Sequence, residues 1–479
     1  MQEPTQAPAP GGEVRATADG DFLAGVVEGF YGPPWSNRER LELFAWMADA
    51  GLNTYLYAPK DDLKHRLFWR ELYSEREAAE LKELIRECRS KGLRFIYAIG
   101  PGLDLSYASS KDLARLRRRA DQLLKLGCRD FTLAFDDVEP VLSIEDAKTF
   151  ASLADAQSDV TNGFLKHLRA QIPDASLCFC PTHYCERMSG PVQHSDYLKQ
   201  LGKRLDSAIQ IFWTGPEIVS ETIPVESLRA LQRVLRRKPL LWDNLHANDY
   251  DLRRIYLGPY AGRKLETRDA MAGILSNPNC EFEANYIPLR TLAMYAQAEE
   301  EWDPRRAFQA ALRGWSLEWK THKPGGLSPG ELELLCDCFY LPTQLGARAK
   351  AFFDDFQFLL RATPKRWGLA GRRFELSCTE LIGLFDKMSG MKNRELLYAL
   401  YPLVWELREE IRLIRKYVGW LKRNPPAGQK LVSADNRPGI YRGGFVAELQ
   451  RLLPMDAQGR FRHKSFPAKH GQANGNRAV

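Results

Sequence analysis

Two adjacent aspartates, Asp136 and Asp137, close a short apolar run that begins at Phe131. A run of β-branched and aromatic residues predicts a buried strand, and an apolar core does not tolerate unpaired carboxylates. We therefore predict that the two acids lie at the end of the strand and face a pocket. Because successive side chains on a strand diverge, one acid could transfer a proton while the other holds a charge. A helix N-cap with a salt bridge is the alternative.

Polar and aromatic side chains also follow the other apolar runs in the first part of the chain. A sugar pocket needs carboxylates for proton transfer, groups that hold hydroxyls in pairs, and aromatic walls. Singly, each residue has an ordinary interpretation as a surface ion pair, a cap or a turn residue. Their common place at the ends of runs favours a pocket. The residues are Glu28, Gly29, Lys60, Asp104, Tyr184, Trp213, Thr214, Trp242, Asp243, Asn244, Asp249 and Asn285.

The apolar runs themselves alternate with amphipathic stretches, which is typical of parallel strands joined by helices. Neither a Gly-x-Gly-x-x-Gly turn nor a P-loop is present. The pattern therefore favours an α/β fold of the (β/α)8 TIM-like barrel type over an open doubly wound sheet, and such a barrel gathers catalytic groups where its strands end. The predicted strands are 22–28, 53–58, 94–100, 130–137, 176–181, 208–214, 239–244 and 273–277.

From about Arg305 the hydrophobic pattern acquires the helical period, which predicts an all-helical C-terminal domain. The aromatic residues there, including Trp405 and Trp420, are predicted to belong to the core. We predict four segments along the chain. They are a disordered leader at 1–20, a catalytic barrel at 21–300, a helical bundle domain at 301–455 and a basic flexible tail at 456–479. The predicted helices are 308–319, 331–339, 347–360, 374–388 and 395–421.

The net charge of +7 is concentrated near the C-terminus, where five basic residues after position 455 stand with one acid. The rest of the chain is only weakly basic, which argues against a nucleic-acid partner. No apolar run reaches the roughly 20 residues needed to cross a bilayer. The first residues also lack the basic and apolar pattern of a signal peptide. We expect neither a nucleic acid nor a membrane as partner, and a cytoplasmic location.

The nine cysteines form no Cys-x-x-Cys pair, and their odd number indicates a reducing compartment. One candidate zinc site would use Cys178, Cys180, Cys185 and His183 as ligands. Their spacing fits no structural zinc pattern, and the first two alternate along a predicted strand. We therefore predict no metal and no cofactor.

Five long motifs carry a resemblance to a known family. They are Gly25-Val-Val-Glu-Gly-Phe-Tyr-Gly32, Asn53-Thr-Tyr-Leu-Tyr-Ala-Pro-Lys-Asp-Asp62, Phe135-Asp-Asp137, Trp242-Asp-Asn-Leu-His-Ala-Asn-Asp-Tyr250 and Asn277-Pro-Asn-Cys-Glu-Phe-Glu-Ala-Asn-Tyr286. Together they resemble glycoside hydrolase family 84, the protein O-GlcNAcases, and most of all its bacterial members. The helical part resembles the family's post-barrel domain more loosely.

The resemblance implies a retaining glycosidase that removes terminal β-linked N-acetylglucosamine from Ser or Thr of proteins. O-GlcNAc-modified proteins or peptides and N-acetylglucosaminides would be its partners. The substrate's own acetamido group would act as nucleophile and form an oxazoline intermediate, the substrate-assisted exception to two-carboxylate catalysis. No metal or cofactor is implied.

The resemblance also implies roles for single residues. Asp136 would orient and polarise the acetamide N–H, and Asp137 would protonate the leaving oxygen and then deprotonate water. One departure is visible at His183, where animal members carry an acid. The implied substrate-binding residues are Gly29, Lys60, Tyr184, Trp242, Asn244, Asp249 and Asn285.

Other functions fit the same residues. The chain could be a general β-N-acetylhexosaminidase acting on glycan ends, or a non-catalytic protein that binds N-acetylglucosamine. It could also be a hydrolase in which Asp136 attacks the sugar directly. A metal-dependent barrel hydrolase would use Asp136, Asp137, Asp243 and Asp249 as oxygen ligands. A homodimer formed through exposed aromatics of the helical domain is a further expectation.

Overall fold

The computed structural model describes residues 22–315, 319, 326–426, 428–434, 436 and 442–462. The chain divides into two compact units, Met1–Tyr250 with Tyr260–Ala307 and Asp251–Pro259 with Phe308–Val479. The predicted leader and most of the predicted tail lie outside the described residues. Within the described ranges, no helix is both long enough and apolar enough to cross a membrane.

The first unit contains eight parallel strands that close into a barrel in sequence order. They are β1 (Leu23–Glu28), β2 (Thr54–Tyr57), β3 (Arg94–Ile99), β4 (Asp130–Ala134), β5 (Ser176–Cys180), β6 (Gln210–Trp213), β7 (Leu240–Asp243) and β8 (Gly273–Ser276). Closure comes from β8, which pairs with β1 so that Leu275 stands opposite Gly25. The barrel prediction is confirmed, and every predicted strand contains one of these strands.

The fourth strand ends earlier than the sequence predicts. The backbone N–H of Phe135 still donates to the Cys180 carbonyl at 2.9 Å, just beyond the assigned end of β4. Asp137 then adopts a φ of 53°, which an extended strand cannot continue. The two aspartates therefore occupy a turn that follows the strand.

Eight helices accompany the strands and cover the barrel. Two of them begin with a capping box, in which Ser36 pairs with Glu39 and Ser74 pairs with Glu77, so that orphan backbone N–H groups of the first turn are satisfied. The helices are α1 (Asn37–Ala50), α2 (Glu75–Ser90), α3 (Ser110–Lys125), α4 (Leu153–Gln171), α5 (Glu186–Ser189), α6 (Asp196–Arg204), α7 (Val225–Leu235) and α8 (Tyr286–Gln297).

The helices that follow belong mostly to the second unit. The amphipathic pattern predicts five of them, and each predicted range overlaps a helix of the structure. Two short strands, separated by a helix in the sequence, pair antiparallel at the end of this unit. The elements are α9 (Pro304–Trp315), α10 (Pro329–Cys338), α11 (Ala347–Arg361), α12 (Gly368–Met388), α13 (Arg394–Lys422), β9 (Lys430–Leu431), α14 (Gly444–Leu452) and β10 (Phe461–Arg462).

Aromatic side chains fill the core between α11 and α12, where the rings of Phe352 and Phe374 stack with centroids 5.3 Å apart. Trp420 is only 5% exposed, as predicted. The same prediction is wrong for Trp405, which is 41% exposed. Its ring packs against Phe385, 5.4 Å away, on the outer face of α13. Composition alone could not distinguish this face from the buried one.

Ordered structure continues into the stretch predicted as a flexible tail. Asp456 accepts hydrogen bonds from Lys430 at 2.8 Å and from Arg460 at 2.9 Å. Phe461 pairs with Leu431 in the antiparallel strand pair and is buried. In the described residues, structure therefore extends to Arg462.

Candidate active site

A cavity of about 320 Å³ opens at the carboxyl ends of the barrel strands. This volume is at the lower end of the range for small-molecule sites, and it suits one compact ligand. Eight of the nine residues predicted for the site line it: Gly29, Lys60, Asp136, Asp137, Tyr184, Trp242, Asn244 and Asp249. The cavity is completed by Tyr31, Cys180, Phe212, Thr214, Ile218, Val219, Ala247, Tyr250 and Asn277.

Asp136 and Asp137 stand in different environments although they are neighbours. Asp136 is buried at 5% exposure, whereas Asp137 is exposed. The left-handed backbone of Asp137 costs about 1–3 kcal/mol, and surrounding contacts must hold such a residue in place. The turn thus separates the two carboxyl groups into a buried one and an accessible one.

A buried ion pair fixes the Asp136 carboxylate, because Lys60 donates to Oδ2. Burial raises the pKa of Asp136, but the charges of Lys60 and Arg66 and the Lys60 hydrogen bond outweigh it, so the pKa lies below its ordinary value. The carboxylate is therefore ionised at neutral pH. Its second oxygen, Oδ1, is buried without a hydrogen-bond partner among the described residues. That oxygen is an acceptor available to a ligand N–H.

Two tyrosine hydroxyls hold the Asp137 carboxylate from opposite sides. Tyr184 donates to Oδ1 at 2.7 Å, and Tyr31 donates to Oδ2 at 2.9 Å. Burial, followed by the charge of Asp137, raises the pKa of both tyrosines well above the ordinary value. Both phenols therefore keep their protons and act as donors. Tyr31 was not among the residues predicted for the site.

The end of β7 contributes an indole and an amide to the cavity through a buried anchor. Asp243 accepts from Arg263 at 2.7 and 2.8 Å and from the Tyr260 hydroxyl at 2.7 Å. Because its carboxylate is fully buried in this pair, Asp243 is not placed with the acids of the cavity. Its neighbours Trp242 and Asn244 line the cavity instead.

A chain of polar contacts links three strand ends beneath the cavity. Asn277 donates to Asn244 Oδ1 at 3.0 Å and accepts from the Gly29 backbone N–H at 3.3 Å. Asn244 in turn donates to the Ile218 carbonyl at 2.8 Å. Glycine is required at position 29, since an added Cβ would lie 2.2 Å from the Trp242 ring. The indole therefore packs directly on the backbone of the first strand end.

Asp249 also lines the cavity, and a backbone N–H group holds its carboxylate. Its Oδ2 accepts from the Tyr31 N–H at 2.9 Å. Burial raises the pKa of Asp249 above its ordinary value, although backbone hydrogen bonds from Tyr31 and Tyr250 oppose that effect. Its carboxylate lines the cavity with an orientation fixed by the protein.

Asn285 is the one predicted site residue that is not among those lining this cavity. Its side chain is fully buried and accepts from the Asn279 N–H at 2.8 Å. It also donates to the Asn279 and Glu281 carbonyls, both at 3.0 Å, so it holds the loop after β8. Asn277, which was not predicted, lines the cavity. The signal that could have identified it is its position immediately after β8, eight residues before Asn285.

The described residues contain no group of three or more His, Cys, Asp or Glu side chains placed to hold a metal ion. Cys178, Cys180 and Cys185, the imagined zinc ligands, are buried in the apolar core of the barrel. Asp243 is engaged by Arg263 and is not free to join Asp136 and Asp137.

A (β/α)8 barrel whose strand ends present two acids, an unpaired buried acceptor and an aromatic wall is the arrangement of a glycoside hydrolase. A family model described as beta-N-acetylglucosaminidase matches residues 24–322. Protein O-GlcNAcase of Rattus norvegicus is 30% identical over 95% of this chain and 73% of the rat sequence. The Mus musculus protein of the same name is 30% identical over 91% of this chain and 70% of its own.

Solved structures give the same result. A variant of the O-GlcNAc hydrolase of Thermobaculum terrenum superposes with a TM-score of 0.75 at 29% identity, covering 84% of each chain. The chain belongs to the beta-N-acetylglucosaminidase family and is a glycosidase.

Proposed function

We propose that this protein removes terminal β-linked N-acetylglucosamine from Ser or Thr of glycoproteins with retention of configuration. The observation that carries the proposal is the buried, ionised Asp136 with an unpaired oxygen, next to an exposed acid on the same turn. An acetamide N–H is the donor that such an oxygen fits. Relatives named protein O-GlcNAcase and O-GlcNAc hydrolase support the substrate class.

In the first step, Asp136 accepts the acetamide N–H while the acetamide oxygen attacks the anomeric carbon. The bond to the serine or threonine oxygen breaks, and that oxygen takes a proton from Asp137. The sugar is left as a protonated oxazoline, whose ring N–H stays hydrogen-bonded to the ionised Asp136. Preorganised charge at the developing oxazolinium supplies the stabilisation, because Asp136 is held by Lys60 before the reaction begins.

In the second step, Asp137 accepts a proton from water as the water oxygen attacks the anomeric carbon. The oxazoline opens, and N-acetylglucosamine leaves with its original configuration. The same carboxyl group therefore serves as acid and then as base. Its exposure on the outer side of the turn gives both the leaving oxygen and water access to it.

The remaining cavity residues hold the sugar. With substrate bound, the Tyr184 hydroxyl turns from Asp137 Oδ1 to donate to the acetamide oxygen, and Asn244 supports the reacting groups. Asp249 and Asn277 bind outer hydroxyls, with Lys60 and the backbone of Gly29 beside them. Trp242 and Tyr250 form the aromatic walls, and all of these residues line the cavity. The barrel, 21–300, is thus the catalytic domain of this proposal.

The proposal also includes a cellular location and an oligomeric state. Nine cysteines, all of them free, support a reducing compartment and hence the cytoplasm. The exposed side chains of Tyr398, Tyr401 and Trp405 on α13 support a homodimer formed through the helical unit.

Matched aryl glycosides test the proposal against its rivals. We expect cleavage of an aryl β-N-acetylglucosaminide and no measurable cleavage of the matching aryl β-glucoside, which has no acetamide. Equal turnover of both would favour direct attack by Asp136. Binding of N-acetylglucosamine without turnover would favour a non-catalytic protein. A preference for chitobiose over a glycosylated serine peptide would favour a hexosaminidase of glycan ends.

A further inference from the structure

The guanidinium of Arg66 lies against the backbone of the catalytic pair rather than in the cavity. It donates to the Asp137 carbonyl at 3.0 Å and to the Asp136 carbonyl at 3.4 Å. Arg66 is only 8% exposed. Its charge helps to keep Asp136 ionised, but its hydrogen bonds in the described structure go to the two backbone carbonyls and to neither carboxyl group.

The two carbonyls converge because Asp137 has a left-handed backbone. Buried carbonyls at such a turn need donors that the strand ladder no longer supplies. A planar guanidinium presents several N–H groups in a fixed fork and can serve both carbonyls at once, which a single ammonium group cannot do in the same geometry.

The segment that carries Arg66 is fixed on both sides. His65 is fully buried, and its ring bonds to the Ala98 carbonyl at 2.7 Å. The Gly100 N–H donates to the His65 carbonyl at 2.9 Å. The stem of Arg66 passes close to Gly100, where an added Cβ would stand 3.5 Å from Arg66 Cγ. The end of β3 therefore supports the guanidinium from behind.

We propose that Arg66 is a positioning residue that fixes the turn at Asp136 and Asp137 and thereby aims the acid/base carboxyl group of Asp137. This inference rests on the function proposed above. Asp136 has a second anchor in Lys60, so its side chain keeps its place without Arg66. Asp137 is anchored only by its backbone and by two phenols, and it is the group that a relaxed turn displaces.

Loss of Arg66 should therefore impair proton transfer more than attack by the acetamide. A displacement of about 1 Å at a reacting group can cost about 10²-fold in rate. Cleavage should slow for leaving groups that need protonation, whereas a dinitrophenolate leaves without being protonated.

The test compares Arg66→Ala, Arg66→Lys and wild type on phenyl and 2,4-dinitrophenyl β-N-acetylglucosaminides. For Arg66→Ala we expect kcat/KM, which reports the first step, to fall about 10²-fold on the phenyl substrate and less than about 10-fold on the dinitrophenyl substrate. The activity of Arg66→Lys on the phenyl substrate should lie between those of wild type and Arg66→Ala. Millimolar guanidinium, but not methylammonium, should restore part of the phenyl activity of Arg66→Ala.

Arg70→Ala is the matched control. Arg70 follows four residues later and donates to Asp104 and Asp112 instead of the catalytic turn. It should leave the ratio of phenyl to dinitrophenyl rates unchanged.

Three outcomes decide the matter. Equal losses on both substrates, or unchanged rates, for the Arg66 variants would overturn the inference while leaving the proposed function intact. If Arg66→Ala does not fold, Arg66→Lys decides by the same ratio. A wild-type chain that cleaves neither substrate would overturn the proposed function and this inference with it.

Discussion

At the scale of single residues, Asp137 combines an accessible carboxyl group with a backbone that is strained and tightly held. We expect Asp137→Asn to slow cleavage of a glycosylated serine peptide by about 10²–10⁴-fold and to affect a dinitrophenyl glycoside far less in its first step. Asparagine tolerates the left-handed backbone as aspartate does, so the turn is kept. Burst kinetics on the activated substrate separates the two steps, and similar losses in both first steps would contradict the assignment.

Lys60 determines where the activity falls off at acid pH. In the proposed mechanism Asp136 must be ionised to accept the acetamide N–H, so we expect kcat/KM to decline as the pH drops through its pKa, which Lys60 and Arg66 hold below the ordinary value. Lys60→Met removes the nearer cation and should move the acid limb upward by about 1–3 pH units. The pH profile of kcat/KM measures this. Lys64→Met, which removes a lysine paired with Glu77 instead, should leave the limb in place.

Local sequence rules located most of the site residues but not the contacts among them. Lys60, Asp136 and Tyr184 follow apolar runs, which is why their place was predictable. Arg66 and Tyr31 reach the pair across 70 and 106 positions of sequence, and nothing in the pattern marks such partners. The motif that contains Asn277 and Asn285 does not show which of its amides lines the cavity, so Asn277 was not predictable from it.

At the scale of elements, the eight strands were predictable because a parallel barrel buries both faces of each strand and leaves continuous apolar runs. The positions at which the strands end were less predictable. The turn after β4 depends on the φ of one residue and on a guanidinium from another loop. The buried face of α13 could not be predicted either. Trp405 and Trp420 are the same residue type in the same amphipathic stretch, but Trp405 is exposed and Trp420 is buried.

The end of β7 depends on one buried ion pair, Asp243 with Arg263, in which both side chains are fully buried. Arg263→Met leaves the Asp243 charge without its cation and should lower the free energy of unfolding by about 3–5 kcal/mol. Urea unfolding measures the change. The exposed pair of Arg187 and Glu217 is the control, and Arg187→Met should change it by less than about 1 kcal/mol. Comparable effects would show that the buried pair is not an anchor.

At the scale of the whole molecule, eight of the nine cysteines are buried and Cys280 alone is partly exposed. Burial raises the pKa of Cys280 to about 12, so even this thiol reacts slowly at neutral pH. We expect native protein to react with Ellman's reagent at no more than one thiol, and denatured protein to react at all nine. Two or more fast thiols in the native state, or fewer than nine after denaturation without reductant, would contradict the arrangement.

The paired phenols on Asp137 bear on how a substrate is received. Both carboxylate oxygens accept hydrogen bonds from the protein itself, so folding, rather than ligand binding, selects the rotamer of the acid. An arriving glycosidic oxygen has no proton to donate, so it accepts the carboxyl proton at the oxygen that a phenol releases, and the number of hydrogen bonds to the carboxyl group stays constant. A mobile side chain loses conformational entropy when a substrate binds. Asp137 has already lost that entropy when the chain folds. Substrate binding at Asp137 thus replaces one hydrogen-bond partner of the carboxyl group without reorienting it.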